Sequence, residues 1–470
     1  MTAASLTHLH VLKLPFMAME SLLDAIFELD HAAAFLSDGS ERGRWSWLCT
    51  HADAISVLDY NDSRKPEEVL GAALKTSRFP TTQISGDQGD LPPFTGGLVG
   101  YMSFELGARL ENLNPRPFRV EGRGAWPEMI ILRFPALLAF DHKTRRLLAL
   151  GRGRDELEAY NRALHMQKLL HQTLSRNPPY VTPQPPLRGP LVLETPDAVH
   201  EDKVATLIQQ IHAGDLFQAN LARGWRGELS AGMTIGRILK GLQRQGASPF
   251  GAALRLQNRA IISNSPERFI RLEAGGRLET RPIKGTRPRG KTPAADRKQA
   301  EALLNSEKDR AENLMIVDLM RHDLSKFARV GSVKVETLNG LETYPNVHHL
   351  VSVITAQLAE GYDAGDVLLK SFPPGSVSGA PKVQALKVIA ELEAPRGPYC
   401  GALFYVDASG AMDSSVLIRT LIMEQEESKL WHLRACAGGG IVADSDPKSE
   451  RIETETKLSL IRNLLENSDI

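Results

Sequence analysis

The order of candidate strands and helices in this 470-residue sequence predicts an α+β fold built on antiparallel sheets. Strand-like segments follow one another in runs and do not alternate strictly with helices, which argues against a parallel, doubly wound sheet. A single break in composition, the proline-dense stretch 176–190, suits neither helix nor central strand, because proline lacks an N–H and fixes φ. It divides an N-terminal α+β region, 1–175, from a larger region, 191–470.

The elements follow from local pattern. Residues 129–140 are apolar enough for one buried strand but contain Arg133 and Pro135, and they fall short of the roughly 20 residues that span a bilayer. Within the same stretch, 134–140 and 147–150 predict a hairpin around Asp141, His142 and Lys143. Leu157, Tyr160, Leu164 and Leu169 recur at helical spacing over 155–174. Beyond the prolines, Val204, Ile208 and Ile211 make the apolar face of a helix over 198–213, which Gly214 closes. Short strands are expected at 223–226, 250–256, 260–263 and 269–272, with a turn at Gly275 and Gly276. Helices are predicted over 309–320 and 381–392, the latter with Pro381 in its first turn. Strands at 401–406, 415–423 and 430–435 and a terminal helix over 447–465 complete the chain.

Composition narrows the function. Lys plus Arg and Asp plus Glu number 56 each, so nothing marks a polyanion such as nucleic acid as the partner, and a small-molecule substrate is the expectation. Three scattered cysteines, Cys49, Cys400 and Cys436, support neither a disulfide framework nor a zinc site. The first residues lack the uninterrupted apolar stretch of a signal peptide. A cytosolic enzyme with no membrane association fits these features.

Several constellations could carry chemistry. Asp309 and Glu312 stand three apart at the start of a predicted helix, and Glu450 and Glu453 repeat the spacing, with Lys457 four residues beyond. Residues three and four apart share a helix face. Each pair is either a solvated face or half of a Mg²⁺ site, since Mg²⁺ takes a few carboxylates and keeps the rest of its shell for water and substrate oxygens. Lys284 lies between Ile283 and Gly285 in a basic, Gly/Pro-containing loop; in a dry site its amine would be neutral enough to act as a nucleophile. Gly438, Gly439 and Gly440 could bring backbone N–H groups to an anion or mark a tight strand exit. Ser376 and Ser378 precede a helix entry, and His348 and His349 should point to opposite faces of a strand.

Taken in order, the strings GDLFQANL, SNSPERF, TRPIKGT, DRAENLMIVDLMRHDL, VHHLVS, GSVSGAPKV, CGALFY, IRTL and AGGGIVADS, with the terminal Glu/Glu/Lys helix, resemble the chorismate-utilising enzymes. They cover residues 214–457, and FTGGLVGYMSFE at 94–105 resembles the first half of the same family. The resemblance implies a large two-layer antiparallel sheet core flanked by helices, as in anthranilate synthase component I, and effectively one intergrown domain.

The resemblance also implies roles. Glu312 and Glu453 would bind Mg²⁺ directly, with Asp309 and Glu450 supporting it through water. Gly438, Gly439, Gly440 and Lys457 would hold the ring carboxylate of chorismate, Tyr405 and Arg419 its enolpyruvyl carboxylate, and Ser376 would be a further substrate contact. His349 would protonate the departing hydroxyl. In PIKGT, Lys284 stands where the anthranilate-forming members carry alanine and matches the aminodeoxychorismate-forming members, as does Asp309. Gln218 replaces the water-activating lysine of the isochorismate-forming members, which fits ammonia as nucleophile. The expected product is 4-amino-4-deoxychorismate, on the route to p-aminobenzoate and folate, with ammonia supplied by a separate glutamine amidotransferase subunit.

Overall fold

The computed structural model describes residues 7–40, 43–78, 81, 83–87, 89–120, 123–175, 184–344 and 347–467. Among them, two large sheets form an α+β architecture, one of thirteen strands and one of ten. All pairings are antiparallel except that of the strands His8–Leu14 and Gln83–Gly86.

Both sheets are stitched from the two ends of the chain. In the larger, Phe250–Leu256 pairs with His31–Leu36, placing Leu254 opposite Ala33. In the smaller, Ala402–Asp407 pairs with Gly97–Met102, placing Tyr405 opposite Val99. The FTGGLVGYMSFE string therefore supplies a strand beside one from the C-terminal half. Of the proline-dense stretch, 176–183 lies outside the described residues, and 184–190 contains no helix or regular strand.

Strand alternation explains why so many strands read as unbroken apolar runs. Successive side chains point to opposite faces of a sheet, and the larger sheet is covered on both. Leu137 and Ala139 face the core shared with the smaller sheet. Leu138 and Phe140 face a second core, built with the helices Glu156–Ser175, Ile235–Gly246 and Pro447–Asn467. Full burial of a Leu or Phe contributes about 1.5–3 kcal/mol, so a one-residue slip would exchange both cores at once.

Two strand expectations are corrected. The run 129–140 is two strands: Met129–Phe134 belongs to the smaller sheet and Ala136–Asp141 to the larger. Pro135 between them has no N–H to offer a ladder, and the chain changes layers there. The run 415–423 divides likewise into Met412–Val416 in the smaller sheet and Thr420–Gln425 in the larger. Arg419, at the crossing, adopts a left-handed backbone with φ of 50°. The hairpin at Asp141 and the helices expected over 155–174, 198–213, 309–320, 381–392 and 447–465 are present within a few residues. No helix among the described residues is long and apolar enough to cross a membrane.

Candidate active site

The three glycines lie inside a regular strand, Trp431–Ile441, and are not a bulge: Gly438, Gly439 and Gly440 pair with Ala222, Leu221 and Asn220 of the strand Gln218–Glu228. Their lack of side chains is used on both faces of that strand. A Cβ on Gly439 would lie 2.9 Å from Glu450 Oε2 and 3.4 Å from Glu453 Oε1. One on Gly440 would collide with Gln218 Nε2 and lie 3.3 Å from Lys284 Nζ. The glycine strand thus brings the acids of the C-terminal helix and the lysine of PIKGT to neighbouring positions.

Spacing left open whether the two acid pairs meet. In the structure the helices Glu307–Ser325 and Pro447–Asn467 face one another: Lys308 Nζ reaches Glu450 Oε1 at 3.5 Å. Glu450 is buried and accepts a 2.7 Å hydrogen bond from Ser445 Oγ. Burial pushes the Glu312 carboxyl above the usual range, against the pull of Lys284 and Lys308, and Asp309 and Glu450 add to the rise. For Glu453 burial acts upward too, but the Lys457 ammonium at 2.6 Å outweighs it and the net direction is down. Asp309 directs one oxygen to Arg287 Nη2 at 2.9 Å.

Three ammonium groups, on Lys284, Lys308 and Lys457, are thus interleaved with these carboxylates. Among the described residues, no three His, Cys, Asp or Glu side chains close around a single point as ligands of one metal ion. The hard oxygen donors from two facing helices suit Mg²⁺ in kind. Present counter-charge comes from lysines. Lys457 Nζ also donates to Gly438 O at 2.9 Å, so it sits against the glycine strand from the helix side.

Lys284 is carried by the strand Ile283–Pro288, which pairs with Val347–Gln357 and places Thr286 opposite His349. Burial is the largest influence on its amine and lowers its pKa, while the Glu312 carboxylate opposes the shift. Beside it lies Glu267, 5% exposed. Burial raises its carboxyl to about 7 despite a hydrogen bond from Ser376, the Lys284 charge and a hydrogen bond from the Ile283 backbone. Glu267 lies within the SNSPERF string but was given no role from sequence. The signal available was an acid directly ahead of the buried strand Arg268–Leu272.

Gln218 is fully buried, yet among the described residues neither its Oε1 nor its Nε2 has a hydrogen-bond partner. An unmet buried amide costs about 1–3 kcal/mol, and this one adjoins Gly440 and, through it, Lys284.

His349 is buried, with Nδ1 2.8 Å from Thr286 Oγ1 and the Tyr344 ring edge-on at 5.6 Å. Burial first, and then the Arg419 charge, lower its pKa to about 4, so the ring is neutral near pH 7. His348 points the other way, to Thr343 Oγ1 at 2.9 Å and Asp296 Oδ1 at 3.0 Å. Arg419, at the layer crossing, has no carboxylate partner among the described residues, and burial alone lowers its pKa. Ser378 spends its hydroxyl on Pro374 O at 3.0 Å.

Tyr405 is not gathered with these groups. Its ring packs between the layers against Phe94, Phe35 and Trp47 at 4.9, 5.5 and 5.7 Å. Asp413, Arg271 and Arg268 are the charges that act on it most strongly. It makes no hydrogen bond to Arg419 among the described residues.

Comparison with known proteins places the site in a family. A family model described as chorismate binding enzyme matches residues 32–463. Aminodeoxychorismate synthase component 1 of Salmonella typhimurium is 41% identical over 91% of this chain and 87% of its own length. The protein of the same name from Escherichia coli is 40% identical over 80% and 78%. Anthranilate synthase component 1 of Streptomyces coelicolor is 38% identical over 77% and 71%. Among solved structures, anthranilate synthase component I from Streptococcus pneumoniae aligns with a TM-score of 0.74 and 27% identity, covering 90% of this chain and 93% of that one.

Proposed function

Because the chain belongs to the chorismate-binding enzymes, we propose that it converts chorismate and ammonia to 4-amino-4-deoxychorismate, with Lys284 as the attacking nucleophile. The observation that carries this is the position of Lys284: its Nζ faces Gly440 beside the Gln218 amide, which has no hydrogen-bond partner among the described residues, in surroundings that favour the neutral amine. The relatives named aminodeoxychorismate synthase component 1 support the same product.

The geometry suggests a sequence of steps. Arg419, without a carboxylate partner among the described residues, takes one carboxylate of the dianionic substrate; guanidinium suits bidentate pairing. Lys457 and the N–H groups of the glycine strand would take the ring carboxylate. Glu312 and Glu453, supported by Asp309 and Glu450, would hold Mg²⁺ after Lys308 and Lys457 yield. When bound, the ion would withdraw electron density from the ring carboxylate as a Lewis acid.

Glu267 takes the proton of the Lys284 ammonium, and the freed lone pair attacks the ring carbon next to the one bearing the carboxylate. The ring double bonds shift and the C–O bond breaks. The hydroxyl leaves as water, taking up the proton that Glu267 removed from Lys284, with the neutral His349 ring as a neighbour. Ammonia then forms a C–N bond at the carbon that lost the hydroxyl, the double bonds shift back, and the Lys284 C–N bond breaks. This is one difficult displacement divided into two easier ones. Gln218, which has both a donor and an acceptor to spare, orients the incoming ammonia, supplied in the cell by a separate glutamine amidotransferase subunit.

The test is direct. The purified chain is incubated with chorismate, MgCl₂ and an ammonium salt, and the lyase that converts 4-amino-4-deoxychorismate to p-aminobenzoate is then added. p-Aminobenzoate is the expected product. Anthranilate as the main product would overturn the assignment in favour of the anthranilate-forming relatives. Lys284→Ala should depress amination severely or redirect the product; an unchanged turnover number would remove the covalent role.

A further inference from the structure

The FTGGLVGYMSFE string resembles the family, yet none of its residues enters the chemistry above. Its last two residues lead to the site by another route. The Glu105 carboxylate accepts the backbone N–H groups of Arg396 and Gly397 at 2.6 and 2.9 Å. Phe104 donates its own N–H to Gly397 O at 2.8 Å and lies under the Arg396 guanidinium, 4.4 Å from the ring centroid. The N-terminal half thus fixes both the backbone and the side-chain plane of one arginine.

Arg396 is 2% exposed and uses four of its five N–H donors. Nε and Nη2 donate to Glu393 at 2.8 Å each, Nη1 to Val377 O at 2.9 Å, and Nη2 also to Asn220 O at 2.8 Å. Asn220 answers from the other side: its N–H donates to Ser378 O and its Nδ2 to Ser376 O, both at 2.8 Å. Glu393 Oε1 accepts the Ala222 N–H at 2.6 Å. One guanidinium therefore clamps the strand that carries Gln218 to the loop that carries Ser376. The Ser376 hydroxyl in turn acts on the Glu267 carboxyl, the neighbour of Lys284, and favours its ionised form.

We propose that Arg396 is a positioning residue: oriented by Phe104 and Glu105, it holds the 375–378 loop against the Gln218 strand so that the Ser376 hydroxyl stays on Glu267 and the Gln218 amide stays beside Lys284. The proposal rests on the roles given above to Lys284 and Glu267. A misplacement of about 1 Å at a reacting centre can cost about a hundredfold in rate, and lysine cannot reproduce a planar fork that serves four acceptors.

Arg396→Lys and Glu105→Gln, each alone and combined with Ser376→Ala, test it in the full chain. Chorismate disappearance is followed, because it registers whatever product forms, and hydrogen exchange is measured over 372–380. In variants with near-parental melting, kcat should fall about tenfold or more with KM for chorismate little changed. The loss should shrink severalfold in the Ser376→Ala background, as it does when two residues act through one contact. The 375–378 amides should exchange faster.

If Arg396→Lys does not fold, Glu105→Gln carries the same test, since it leaves the guanidinium in place. Independent, multiplicative effects of the two substitutions, or parental exchange over the loop, would overturn the proposal. A parent that fails to consume chorismate would instead sink the proposed function, and the exchange measurement would still decide the clamp.

Discussion

Lys308 Nζ lies 3.5 Å from Glu450 Oε1, and this ion pair joins the two helices that carry the acid pairs. Lys308 is half exposed while Glu450 is 4% exposed, so the lysine is the solvent-facing partner of a buried carboxylate. Burial alone would lower its pKa, and Glu450, Glu312 and Glu453 reverse the direction. The ammonium stands among carboxylates that would otherwise repel one another.

Lys308→Met should therefore destabilise the metal-free protein, by about 1 kcal/mol once solvent screening of the exposed lysine is allowed for. Added MgCl₂ should raise the melting temperature of the variant more than that of the parent, because a cation then fills the vacated place. Thermal denaturation with and without MgCl₂ measures both. Equal shifts in the two proteins would separate Lys308 from the acid cluster.

Gly440→Ala places a methyl group against Gln218 Nε2 and 3.3 Å from Lys284 Nζ. Because the strand backbone at this position suits any residue, the fold should persist, with chorismate turnover reduced about a hundredfold by displacement of the two side chains. Circular dichroism together with a chorismate consumption assay would show this. Near-parental activity would mean that the gap between Gln218 and Lys284 is not where the ring reacts.

Glu267 makes a pH prediction. Its carboxyl rises to about 7 in the fold from an ordinary value of 4.5, chiefly through burial, so the folded state disfavours its ionised form. Relative to Glu267→Gln, the metal-free parent should keep its stability below about pH 4.5 and lose up to about 3 kcal/mol as the pH rises through 7. Denaturant titrations of both proteins between pH 4.5 and 8.5 give the difference. Turnover should rise with pH through about 7 in the parent, since Glu267 accepts a proton when ionised. His349, at about 4, should contribute no limb between pH 5.5 and 8.5.

Arg419 has no carboxylate partner of its own among the described residues, and a charge-assisted hydrogen bond to an anion is worth about 1.5–3 kcal/mol. Arg419→Gln should therefore weaken chorismate binding about 10- to 100-fold while leaving melting almost unchanged. Calorimetric titration with chorismate provides the measurement. Parental affinity would exclude Arg419 from substrate recognition.

Much of this molecule was legible in its residues. The helix over 155–174 and the hairpin at Asp141 were accessible because periodicity and turn chemistry are local. The acid pairs at 309/312 and 450/453 could be placed on helix faces for the same reason. The resemblance of ordered strings added Arg419 and Tyr405 and gave roles to Lys284, the glycines and His349.

Other features depended on contacts between distant segments. The runs 129–140 and 415–423 are mostly apolar, broken only by Arg133 and Pro135 and by Ser415, Arg419 and Thr420, and nothing within them says that the strands on either side of a break pair in different sheets. The passage occurs at Pro135 and Arg419, where ladder pairing with different strands takes over. Tyr405 lies on a strand of the expected kind, but its side chain is drawn into the interlayer aromatic cluster by Phe35 and Trp47 from the opposite sheet.

By itself the sequence determined the α+β class, most helices, and the residues able to attack, pair with anions or bind a cation, because these depend on side-chain chemistry and short-range periodicity. Only the tertiary structure decided that Lys308 joins the acid helices, that Glu267 and Gln218 adjoin Lys284, and that Phe104 and Glu105 reach the site through Arg396. Burial sets the proton affinity of Glu267 and leaves Gln218 without a partner among the described residues. Burial is a property of everything that surrounds a residue, including segments far away in the chain.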